Sequence, residues 1–136
     1  MLNIENAAHE ETNPQASTLI INKLSCSLIG EDQTMHVLPA TIAYQAYGKD
    51  SIVERFQCNY GLNEKYRNDL SDGKLKITGF DENDNARIIE IPHHRFFIAT
   101  LFLPQFTSKP GMSHPLILSF IKAAMKFRDM KVHKAV

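Results

Sequence analysis

The residues with the most chemistry to offer lie in Arg55-Phe56-Gln57-Cys58-Asn59-Tyr60, where a thiol follows shortly after a guanidinium. A thiol attacks or changes redox state as thiolate, and a nearby cation favours that form, so Cys58 with Arg55 describes a nucleophilic or redox site. The plainer reading of a lone Cys on an apolar strand is packing, as a small hydrophobe. Cys26, inside Leu24-Ser25-Cys26-Ser27-Leu28, reads as a packed strand residue. His93-His94 invites a metal, but neighbours on a strand point to opposite faces and do not readily share one ion. No metal and no cofactor are therefore expected. His114 stands before Pro115, where a helix is expected to start and where it can help to cap it. Lys122, Lys126, Arg128, Lys131 and Lys134 read as a solvated basic helix face, with a weak anionic partner as the alternative.

A longer pattern runs through nearly the whole chain. Ala43-Tyr44-Gln45-Ala46-Tyr47-Gly48 and Val53-Glu54-Arg55 are followed by Tyr60-Gly61-Leu62-Asn63 and Ile77-Thr78-Gly79. Ile89-Glu90-Ile91-Pro92, Leu103-Pro104-Gln105-Phe106 and His114-Pro115-Leu116 complete it. In this order and spacing the segments resemble the triad-type (class I) glutamine amidotransferases. The likeness is specifically to the C-terminal part of the glutaminase domain of CTP synthase, and to stand-alone proteins related to that region. It implies an α/β fold: an incomplete glutamine-amidotransferase-like (flavodoxin-like) sheet with β-hairpins and a C-terminal helix. It also implies a connection to pyrimidine nucleotide biosynthesis.

The family carries His-Pro-Glu-Phe where this chain has Leu103-Pro104-Gln105-Phe106. There the His takes the proton of a nucleophilic Cys and the Glu orients the His. Leu accepts no proton, and Gln carries no charge to stabilise an imidazolium. The family's Arg-His-Arg-His-Arg-Tyr-Glu is here Arg55-Phe56-Gln57-Cys58-Asn59-Tyr60-Gly61, in which Arg55 and Tyr60 match. Asn59 replaces the Arg that meets the substrate's carboxylate, and an amide gives up the charge-assisted, bidentate contact. Arg55, Asn59 and Tyr60 are thus the residues left to bind a glutamine-like ligand. The family's Gly-x-Cys-x-Gly elbow has no counterpart, since Cys26 lies between serines and Cys58 between Gln57 and Asn59. The resemblance therefore implies a degenerate module without glutaminase activity of its own, serving in binding or regulation. The alternatives are a thiol-dependent enzyme using Cys58, or a piece of a CTP synthase-like gene.

Composition agrees with a modest globular unit. A chain of 136 residues can bury a sizeable core, about two-thirds of its unfolded surface. Fifteen basic residues balance fifteen acidic ones, which gives no reason to expect a nucleic-acid or membrane partner. No apolar run approaches the roughly 18 residues of a membrane span. The polar, acidic start is unlike a secretory signal, and two cysteines make no disulfide framework. A cytoplasmic protein with reduced thiols is expected.

Met1 to Ser17 reads as a weakly ordered polar leading segment, and 18–136 as the C-terminal portion of an amidotransferase-like domain. Strands are expected over Thr18 to Leu28, Thr34 to Leu38 and Ser51 to Tyr60, with a short helix between Pro39 and Gly48. Asn63 can cap a helix from Glu64 to Leu70. Leu75 to Phe80 and Arg87 to Ile91 form a hairpin around Asp81 to Asn85. Phe96 to Leu103, nearly all apolar, predicts a strand covered on both faces. The last helix follows Ser113 as N-cap and Pro115, with Leu116, Phe120, Ile121 and Ala124 as its buried stripe and Lys126 and Arg128 near its negative end. A domain missing its first strands leaves an exposed apolar edge, so an upstream half-domain or a second copy is the expected partner.

Overall fold

The computed structural model describes residues 4–134, apart from the side chains at 71, 72 and 132–134. The strands form two sheets. The smaller holds β1 (Ala7–His9), β2 (Thr18–Lys23) and β5 (Tyr60–Leu62) in the order β1-β2-β5, with β1 parallel and β5 antiparallel to β2. The larger is antiparallel throughout, in the order β4-β3-β6-β7-β8: β3 is Asp32–Val37, β4 Ser51–Arg55, β6 Lys76–Asp81, β7 Ala86–Glu90 and β8 Ile98–Thr100. Short helices α1 (Ile42–Tyr47) and α2 (Arg67–Asp72) and the long α3 (Pro115–Lys134) complete the fold.

Alternation places the core. Met35 and Val37 face inward from β3 around the exposed His36, and Ile52 faces inward from β4 while Val53 is 61% exposed. With Leu28, Ala43, Phe56, Ile88, Phe102 and Leu116 they form one buried cluster. In the β6–β7 hairpin the Asp81 carboxylate accepts the N–H groups of Asn83 and Asn85, both at 2.9 Å, and Asp84 turns the chain at φ 62°. The register shifts on either side of Gly79, where a Cβ would lie 2.7 Å from Ile88 Cγ1. Glycine is required there for β7 to pass that closely. α1 is capped by Thr41, whose Oγ1 accepts Tyr44 N–H at 3.1 Å, and closed by Gly48 at φ 70°. Asn63 caps a 3-10 turn, Glu64–Tyr66, that leads into α2.

Several expectations are corrected. The leading segment pairs with β2 through β1, although Met1 to Asn3 lie outside the described residues. The first expected strand ends at Lys23, and the third breaks into β4 and β5 with irregular backbone between them. The last strand is confined to Ile98–Thr100 at the end of the larger sheet, with Ala99 exposed, so it is not covered on both faces. Its apolar run reflects two jobs: Phe102 turns into the core, and Phe96 packs edge-on to Phe120 at 5.7 Å. In α3 the expected stripe fails after Leu116. Phe120 and Ile121 are 57% and 47% exposed, Ala124 is exposed, and Ala123 and Phe127 turn inward instead. Arg95 lies over the Phe127 ring, 3.4 Å from its centroid.

Candidate functional site

Phe102 fixes the start of the Leu103-Pro104-Gln105-Phe106 loop. It is fully buried against Phe56 (5.9 Å between ring centroids), and Thr100 Oγ1 donates to its carbonyl at 2.7 Å. From there the chain turns outward into a 3-10 turn, Pro104–Phe106. Leu103 and Phe106 are 36% and 54% exposed and Gln105 is exposed, so the loop presents an apolar and an uncharged polar side chain to solvent.

The Arg55 to Gly61 stretch crosses between the two sheets, and its residues part company. Arg55, at the end of β4, pairs with Asp32 (Nε to Oδ1, 3.1 Å) and donates to the Gly30 carbonyl. Asn59 accepts Leu24 N–H through its carbonyl at 2.7 Å, and the Tyr60 ring lies 5.0 Å from that of His9. At Gly61 a Cβ would come within 2.7 Å of Leu24 Cδ2, so Leu24 fills the space of any side chain there.

Cys58 is half-buried against the core and its Sγ–H donates to the Leu101 carbonyl at 3.5 Å. The cation whose charge reaches it is Arg87, not Arg55. Burial pushes the Cys58 thiol up, outweighing the Tyr60 backbone hydrogen bond and Arg87. A raised thiol is a poor nucleophile at neutral pH. With iodoacetamide on the folded chain, exposed Cys26 is expected to be alkylated first and Cys58 to react on unfolding. Cys58→Ala should cost about 1–2 kcal/mol by denaturation. Faster alkylation of Cys58 than of Cys26 would put the thiol to chemical use.

A His–carboxylate pair does exist, at a different place. Glu54 lies on the inward face of β4 between Ile52 and Phe56, and His114 precedes α3; they are 4% and 3% exposed. His114 Nε2 stands 2.8 Å from Glu54 Oε1, and Tyr47 donates its hydroxyl to the same oxygen at 2.6 Å. The other ring nitrogen, Nδ1, accepts Leu116 N–H at 3.1 Å. The proton therefore sits on Nε2. With both nitrogens engaged and the ring enclosed, His114 is not placed to serve as a general base. It caps α3, while Ser113, the expected cap, is exposed. Period-two alternation, which puts a carboxylate between two core positions, was the sequence signal for Glu54.

Asp81 and Arg87 form a second buried pair, 2.6 Å apart, with the guanidinium over Phe56. Arg87 also lines an apolar cavity of about 310 Å³ between the sheets, whose walls include Ile20, Leu62, Leu75, Ala99 and Leu101. His93 and His94 lie exposed in the turn after β7, not on a strand, and His94 Nδ1 accepts Phe96 N–H at 3.3 Å. Among the described residues no three His, Cys, Asp or Glu side chains converge as metal ligands, and no helix is long and apolar enough to cross a membrane. Lys122, Lys126, Arg128 and Lys131 are exposed on α3, with Arg128 paired to Asp129; the Lys134 side chain lies outside the described residues.

No protein-family model matches the chain. It is 37% identical over 119 residues to a CTP synthase of Buchnera aphidicola, an alignment covering 87% of this chain and 22% of that protein. To a CTP synthase of Saccharolobus solfataricus it is 35% identical over 132 residues, covering 90% and 25%. The chain thus spans about a quarter or less of the curated relatives it matches. The fold superposes on the glutaminase domain of Trypanosoma brucei CTP synthase, solved with bound acivicin, with TM-score 0.83 and 26% identity. That match covers 93% of this chain and 53% of the solved one. A putative GMP synthase subunit from Thermoplasma acidophilum shares the fold at TM-score 0.61 and 13% identity, over 82% of this chain and 51% of that one.

Proposed function

Because the chain is related to the glutaminase domain of CTP synthases, we propose that it is a degenerate glutaminase-like module that binds or regulates rather than hydrolysing glutamine. The observation that carries the reading is the outward loop with Leu103 and Gln105 where the family resemblance calls for the base and its orienting acid. The His114–Glu54 pair offers no substitute, because both side chains are buried and both ring nitrogens are engaged. Asn59 and Gly61 weaken the carboxylate contact in the same direction, and Arg55, held by Asp32, and Tyr60, beside His9, do not converge to replace it.

The partner in this reading is the complementary part of such a domain, with self-association as the lesser route. β8 ends the larger sheet and offers an unpaired edge, and the apolar cavity opens beside its Ala99 and the following Leu101. An edge of that kind is a template for one more strand.

The chain is expected to release no ammonia from glutamine above background in a coupled assay. Leu103→His with Gln105→Glu should not restore release, since no cysteine occupies an elbow before a helix. Ammonia production proportional to protein concentration would overturn the reading.

A further inference from the structure

We infer that Glu54 is a positioning residue. From one buried carboxylate it ties together the end of α1, the loop after Phe102 and the start of α3, and so sets where Leu103 and Gln105 stand. Oxygen Oε1 accepts from Tyr47 of α1 and from His114 before α3, while Oε2 accepts from Thr107 Oγ1 at 3.2 Å. Ser108 Oγ accepts His114 N–H at 3.3 Å, joining the two chain segments again.

The loop needs this tie because apolar burial does not hold it. Leu103, Gln105, Phe106 and all of Lys109 to Ser113 are exposed, and its own backbone bonds run from Phe106 to Leu103 and between Lys109 and Met112. Thr107 has a choice, since its single hydroxyl proton can go to Glu54 or to the Pro104 carbonyl at 3.4 Å. An ionised carboxylate is the stronger acceptor, so the charge on Glu54 decides the outcome.

The ionisable groups facing Glu54 are Tyr47 and His114. Burial would raise the Glu54 carboxyl, but hydrogen bonds from His114, Tyr47 and Thr107 outweigh it and hold the carboxyl below its usual range. Burial and the adjacent carboxylate push the Tyr47 hydroxyl far up, so it stays a donor. A carboxyl depressed in the closed state contributes stability above the open-state value near 4.3, and loses it as pH falls through that value toward the closed-state one.

The test is hydrogen exchange at Phe106, Lys109 and Met112 of the full chain, corrected for intrinsic rates and compared with the β6–β7 hairpin. In the unaltered chain loop opening should grow as pH falls below about 4.3, ahead of the hairpin. Thr107→Val, which cuts the link to the loop alone, should raise loop exchange at pH 7 about tenfold and flatten its acid dependence. Glu54→Gln should also open the loop and abolish the acid dependence. Thr107→Val decides the matter if Glu54→Gln does not fold. Loop exchange within twofold of the unaltered chain in Thr107→Val, or full acid dependence kept in either variant, would overturn the assignment.

Discussion

Arg87→Met is expected to lower stability by about 3–5 kcal/mol, because it leaves the Asp81 carboxylate buried without its cation. The two side chains are 5% and 4% exposed, and the guanidinium reaches Asp81 through both Nε and Nη2. Met keeps much of the volume and the contact with Phe56, so the loss is chiefly electrostatic. Arg55→Met is the contrasting case. Its pair with Asp32 is about half exposed, and solvent screens it to less than about 1 kcal/mol. Denaturant midpoints of the two variants should differ accordingly. Asp81→Asn combined with Arg87→Met should recover part of the loss, since a neutral amide is cheaper to bury than an unpaired charge.

The same pair sets a pH dependence with a definite sign. Burial would raise the Asp81 carboxyl, but hydrogen bonds from Asn85 and Arg87 and the Arg87 charge hold it below its usual range. Its contribution is therefore complete above the unfolded value of about 3.9 and declines as pH falls through the folded one. Arg87→Met should weaken that decline, visible as a flatter stability profile in acid.

How much of this was legible in the sequence depends on the distance between partners. Asp81 and Arg87 are neighbours across a hairpin that the turn residues Asp81 to Asn85 announce. Glu54 meets His114 and Glu90 meets α1 across long stretches of chain, and no local pattern records such pairs. Alternation in Ile52, Glu54 and Phe56 marks Glu54 as inward-facing without naming what it meets. The apolar runs misled for a related reason. Period identifies a face but not how many neighbours cover it, so the end strand β8 read as covered on both faces, and the stripe expected to be buried on α3 is largely exposed beyond the first turn. Resemblance located Leu103 and Gln105 readily, because it compares residue types position by position. It also takes in the segments that carry Glu54 and Glu90, but it does not say what those buried carboxylates meet.

Glu90→Ala is expected to cost about 3 kcal/mol and to loosen α1 before the rest of the molecule. Glu90 is 1% exposed at the end of β7, and its two oxygens accept the N–H groups of Ile42 and Ala43, each at 2.8 Å. The first N–H groups of a helix have no partner within it, and a carboxylate there also meets the positive end of the helix dipole. Hydrogen bonds to a charged group contribute about 1.5–3 kcal/mol each, and removing the acceptor leaves buried donors unsatisfied. Glu90→Gln keeps the shape but offers one oxygen for two donors, so it should be nearly as costly. Thr41 satisfies Tyr44 N–H alone, too little to hold so short a helix. Amide exchange at Gln45 and Gly48, whose partners are Thr41 and Tyr44, should accelerate more than in β6–β7. A loss under about 0.5 kcal/mol would mean that core packing of α1 and the Tyr47–Glu54 bond seat the helix without Glu90. Because Tyr47 at the other end of α1 binds Glu54, loosening the helix should also reach the loop that carries Leu103 and Gln105.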